Sequence, residues 1–95
     1  MGLDLVVTGG AARSVASIAD LLTAADIPVT IVMVDGALVA PGKLEVAAWR
    51  DLRLRTPEGM MTLLRRGDDL QIVVFGNASA PLRALQERVA GALAL

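Results

Sequence analysis

Thr56-Pro57-Glu58-Gly59-Met60-Met61-Thr62-Leu63-Leu64-Arg65-Arg66-Gly67-Asp68-Asp69-Leu70 is the stretch on which the fold turns. It opens like a helix: Thr is a good N-cap, Pro suits the first helical position, and Glu meets the positive end of the dipole. Met60, Met61, Leu63 and Leu64 then supply an apolar side at helical spacing. Arg65 and Arg66 fall where the dipole is negative, and Gly67 closes the helix. So short a helix buries one stripe, so one of the two methionines faces outward and offers an adaptable contact surface.

Downstream, Leu70-Gln71-Ile72-Val73-Val74-Phe75 reads as a strand stopped by Gly76. Asn77 or Ser79 caps a last helix that tolerates Pro81 in its first turn and buries Leu82, Leu85, Val89 and Leu93. Upstream, Leu52-Arg53-Leu54-Arg55 alternates as a half-buried strand. The stretch from Ala37 to Asp51 is the least legible. Ala37-Leu38-Val39-Ala40 suits the return strand of a hairpin, Pro41-Gly42 a further turn, and Leu44 to Trp49 either a strand or one helical turn. Val29 to Val34 is a β-branched strand with the hairpin dipeptide Asp35-Gly36 behind it. Before it, Ser14 caps a helix with Val15, Ile18, Leu22 and Ala25 on one face, widened by Ala19 and Leu21 and stopped by Pro28. Leu3 to Val7 is a first strand that ends at Thr8-Gly9-Gly10. This order fits a small parallel α/β sheet, or an antiparallel sheet with helices on one face. Asp35-Gly36 favours the second, because a tight hairpin joins antiparallel neighbours.

The 95 residues suit one domain, 1–95, with no linker or internal repeat. Hydrophobic residues make up 55% and aromatics 2%, so aliphatic side chains fill the core, with Trp49 and Phe75 as its rings. Nine Lys and Arg against ten Asp and Glu leave a net charge of -1, which removes the electrostatic case for nucleic acid and for a membrane surface. The longest uncharged stretch, Leu70 to Leu82, is broken by Gly76, Asn77 and Pro81 and falls short of a spanning helix. The start carries Asp4 and no basic segment, unlike a signal peptide, so the expectation is a cytoplasmic protein. With no Cys and no His there is no disulfide, thiolate nucleophile or imidazole base, and no metal site or cofactor is expected.

Chemistry-bearing candidates are few. Thr8-Gly9-Gly10 leads from strand to helix, where backbone N–H groups can cradle an anion, but no G-x-G-x-x-G or Walker lysine accompanies it. Arg13 sits at a helix start, where a cation opposes the dipole; that suggests an anion or a partner carboxylate, while a solvated arginine is the reading favoured. Asp68-Asp69 precedes a strand and reads as a solvated turn rather than an acid/base pair. Ser14, Ser17 and Thr56 have no base at helical spacing. An enzyme is not expected.

The segment from Thr56 to Leu70 resembles the second half of HPr, the histidine-containing phosphocarrier of the bacterial sugar phosphotransferase system. That family carries a Ser-Ile-Met-Gly-Leu-Met-Ser-Leu-like helix, then Lys-Gly-Asp-Glu, a strand, a glycine and an Ala/Leu-rich helix. Gly59, Met61, Leu63, Gly67, Asp68, Gly76 and Leu82-Arg83-Ala84-Leu85 match it, with one residue missing near Leu64. The family's Gly-Leu-His-Ala-Arg-Pro-Ala motif falls on Gly9 to Ala16. It puts Arg13 on the arginine and Ala11 on the phosphoryl-accepting histidine, which this chain lacks.

The resemblance implies an α+β open-faced sandwich in the order β-α-β-β-α-β-α, with a four-stranded antiparallel sheet, three helices on one face and an atypically long segment at 37–55. It implies a non-catalytic binding or regulatory module that is no longer a phosphocarrier. Its phosphotransferase-related protein partner would dock on the starts of the first two helices, at Arg13, Ser14, Thr56, Met60 and Met61. Thr56 stands where many members carry a regulatory serine, though here Pro57 follows it. The alternatives are a small parallel α/β enzyme or sulfur-relay subunit working through Thr8-Gly9-Gly10, and a structural subunit whose exposed aliphatics form an oligomer interface.

Overall fold

Pro57 and Glu58 turn the chain back on itself instead of starting a helix. In the computed structural model, which describes residues 2–8, 14–38, 49–75 and 78–94, the stretch from Gly59 to Arg66 is a β-strand. The order is β1 (Gly2–Val7), α1 (Val15–Ala24), β2 (Thr30–Val34), β3 (Ala37–Leu38), β4 (Asp51–Thr56), β5 (Gly59–Arg66), β6 (Asp69–Phe75) and α2 (Ala80–Leu93). The strands form one six-stranded sheet, β1-β6-β5-β4-β2-β3, and every neighbouring pair is antiparallel. Among the described residues the expected four strands and three helices are therefore six strands and two helices in one all-antiparallel sheet, not the parallel α/β architecture.

The middle helix fails for a local reason. Gly59 has φ +137, which lies outside any helix and is open to glycine alone. Thr56-Pro57-Glu58-Gly59 is a four-residue turn with Pro second and Gly fourth, the preference of type I. The Thr56 hydroxyl locks it, donating to the Gly59 carbonyl at 2.7 Å and accepting from the Glu58 N–H at 3.1 Å. At the other end of β5, Gly67-Asp68 joins Arg66 to its partner Asp69, with Gly67 at φ +62 as the first central residue of a type II′ hairpin demands. Thus Arg65 and Arg66 end a strand rather than complement a helix dipole.

Other expectations hold. Asp35 (φ 51) and Gly36 (φ 84) make the hairpin between β2 and β3. β2 lies between β3 and β4, and a register shift between Ile31 and Met33 inserts one residue. That bulge lets Ile31 and Val34, three apart, both face the core. Ser14 caps α1 through the Ser17 N–H at 3.1 Å, and Ser79 caps α2 through the Leu82 N–H at 3.2 Å. Each such cap stabilises by about 1 kcal/mol.

Alternate residues of the strands point to one face and share a single core with the inner faces of both helices. Leu52, Leu54, Met61, Leu63, Leu70 and Ile72 meet Val15, Ile18, Leu22, Leu85, Val89 and Leu93 there. Two polar ties hold α2, one to the sheet and one to the end of α1. Buried Gln86 on α2 donates to the Ile72 carbonyl at 2.8 Å, and the Arg88 guanidinium meets the Ala25 and Asp26 carbonyls at the end of α1 at 3.4 and 3.3 Å. A cation suits the negative end of that helix. Ala25, expected on the buried stripe, is an exposed C-cap. Trp49 is buried with the Arg65 guanidinium over its ring, 4.6 Å from the centroid, but Phe75, expected in the core, is 74% exposed. The connection 39–48 lies outside the described residues.

Candidate protein-docking face

Helices cover one face of the sheet, so the strand residues between the core positions are displayed on the other. The pairing fixes where each falls. Asp4 pairs with Val73, Val73 with Thr62 and Thr62 with Arg53, which makes one row across β1, β6, β5 and β4. The next row is Val6, Gln71, Leu64 and Asp51. On the other side, Phe75 and Met60 stand two residues beyond Val73 and Thr62, with Arg55 paired to Met60.

Large apolar side chains share this face with charged and polar ones. Among the described residues the large exposed hydrophobic side chains are Val6, Leu38, Met60 and Phe75, and all but Leu38 stand in these rows. Half-buried Val73 and Leu64 lie between them, and a groove of about 370 Å³ runs past Arg53, Met60, Thr62, Leu64, Val73 and Phe75. Polar groups frame it. The Arg66 Nε donates to the Gln71 Oε1 at 3.1 Å, and the Gln71 Nε2 donates to the Asp4 carboxylate, which orders a chain of three side chains across β5, β6 and β1. Arg53 Nε stands 4.0 Å from the Asp51 carboxylate. An exposed pair at that distance contributes little to stability.

Of the sequence-derived site residues that are described, Met60 and Met61 fall on opposite faces of β5 rather than on one surface. Arg13 and Ala11 lie outside the described residues, as do Gly9 and Gly10. Ser14 is spent on capping α1 and Thr56 on locking the β4–β5 turn. The segment that leads from α1 into β2 lies near this turn: Pro28 to Thr30 share a hollow with Arg55, Thr56 and Pro57. Ser14 stands a helix length away, about 15 Å from Ala25. Met61 is 1% exposed and belongs to the core, while Met60 is 42% exposed on the open face. One methionine does face outward, as a consequence of strand alternation. Residues missed from the sequence are Val6, Val73 and Phe75. The signal for Val73 and Phe75 was the unbroken apolar run Ile72-Val73-Val74-Phe75, which has no polar face to give to solvent.

The arrangement offers shape and apolar area rather than reactive groups. Among the described residues no three acidic side chains converge as a metal site, and no helix is long and apolar enough to cross a membrane. No protein-family model, curated protein or solved structure matches the chain.

Proposed function

We propose that the chain is a non-catalytic protein-binding module that docks a protein through the open face of its sheet. The observation that supports this most is the placing of exposed Phe75 and Met60 beside half-buried Val73 and Leu64 along one groove on the face the helices leave uncovered. Phe75, Met60, Val73 and Leu64 with Asp4, Arg53, Arg55 and Arg66 around them have the layout of an interaction surface: an apolar centre and a charged rim. The helix on which the phosphotransferase resemblance rested is a hairpin, so the proposal carries no phosphotransferase partner. A second reading, an oligomerising structural subunit, is favoured by the distribution of charge across this same face.

A photo-crosslinking amino acid at position 75, compared with one at position 83 on the outer side of α2, tests the proposal in the native cell. Discrete protein adducts should form from position 75 and not from position 83. Equal, diffuse adducts from both positions would overturn it.

A further inference from the structure

We infer that the protein occupying the open face is a second copy of this chain, packed face to face about a two-fold axis parallel to the strands and midway between β5 and β6. This rests on the docking-face proposal and adds the identity of the partner.

The row Asp4–Val73–Thr62–Arg53 carries an acid at one end and a base at the other, on the strands flanking the central pair. A two-fold axis between β5 and β6 exchanges β6 with β5 and β1 with β4. Asp4 of each copy then lies opposite Arg53 of the other, and both ion pairs form at once. The isologous geometry demands such self-complementarity. The same operation sets Phe75 opposite Met60, a ring against a thioether, and Val73 opposite Thr62. It sets Gln71 opposite Leu64 and Val6 opposite Asp51, so the apolar contact is carried by Phe75, Met60 and Val73. Aligned sheets pack about 10 Å apart with a rotation of about 30°, and at the distance of β1 from the axis that rotation displaces Asp4 by only about 4 Å, within reach of an arginine. The rim chain of Arg66, Gln71 and Asp4 holds the carboxylate in place for this contact.

The axis overlaps four strands, β1, β6, β5 and β4, and leaves β2 and β3 outside the contact. At about 4.8 Å between strands and six residues of about 3.4 Å each, that overlap projects to about 400 Å². Side-chain relief raises the accessible area above that projection, which makes this an interface at the small end of the range and a concentration-dependent dimer. The near-zero net charge of -1 leaves no long-range repulsion between copies.

Sedimentation of the full chain across a concentration series, with Asp4→Arg, Arg53→Asp and the double exchange, decides the matter. The wild type should sediment at twice the 9.9 kDa chain mass. Each single reversal should weaken the dimer at least tenfold, and the double exchange should restore it. Circular dichroism should show unchanged folding for all four, as every substitution is at an exposed position; for any variant that fails that check, Phe75→Asp replaces it and should give a monomer. A wild type that stays monomeric at hundreds of micromolar overturns the inference, while adducts from position 75 to a different protein would leave the docking face standing. A dimer indifferent to both single reversals overturns it as well.

Discussion

Met60 and Met61 are adjacent in the chain and lie on opposite faces of β5, one in the groove and one at 1% exposure under the helices. Their substitution should therefore differ sharply. Met61→Ala should destabilise by about 2–5 kcal/mol, the range for a large core truncation, whereas Met60→Ala should stay within about 0.5 kcal/mol of wild type. Denaturant midpoints of the two variants measure this directly. Asp35 makes a second residue-level prediction. Its Oδ1 accepts from the Arg50 N–H at 2.7 Å and the Asp51 N–H at 2.9 Å, and these two bonds, the first foremost, hold its pKa below the ordinary carboxylate value. A folded-state pKa below the unfolded one means that the stabilisation is in force above the unfolded value and is lost as pH falls through the folded value. Asp35→Asn keeps a side chain that tolerates the positive φ but cannot titrate. Stability of the wild type should accordingly fall more steeply than that of the variant as pH drops below about 4. Parallel curves would remove Asp35 from the acid response.

Gly59 decides the identity of β5. In the middle of a helix, Gly→Ala stabilises by about 1 kcal/mol. At φ +137, with the added Cβ meeting Leu82 Cδ2 at 3.2 Å, Gly59→Ala should instead destabilise by about 1 kcal/mol or more. The sign of the change in melting temperature thus separates strand from helix. The sequence itself left the two close. Met60, Met61, Leu63 and Leu64 satisfy helical spacing, and they also satisfy a strand that is apolar on both faces. Strict alternation, so clear in Leu52-Arg53-Leu54-Arg55, disappears in β5 because Met60 and Leu64 are apolar on the open side. The residues that blurred the period are thus the ones that line the groove. Gly67-Asp68 between two apolar runs was the legible hint of a hairpin. Elements with a single decisive residue were read correctly: Ser14 and Ser79 as caps, Asp35-Gly36 as a turn, Leu82, Leu85, Val89 and Leu93 as the buried stripe of α2. The turn expected at Pro41-Gly42 lies outside the described residues.

For the molecule as a whole, the mean hydropathy of +0.61 takes on a structural meaning. Two helices shield one side of a six-stranded sheet, and the apolar residues beyond those needed for that core appear on the other side. Composition alone made the excess visible but not its location, because the location depends on the antiparallel register that brings β1, β6 and β5 together. Phe75 shows the difference. As one of only two aromatic residues it belonged to the core by composition, yet it stands at the open end of β6 with 74% of its surface exposed. A side chain so placed is free energy that docking can recover, about 25 cal/mol for each Å² of apolar surface covered. Hydroxyl-radical footprinting tests this most directly, comparing the chain in its native cell with dilute purified protein and normalising to exposed Pro81 on α2. Phe75 and Met60 should react readily when dilute and be protected in the cell, with Met61 silent in both. Equal reactivity of Phe75 and Met60 in the two settings would contradict a docking role for the open face.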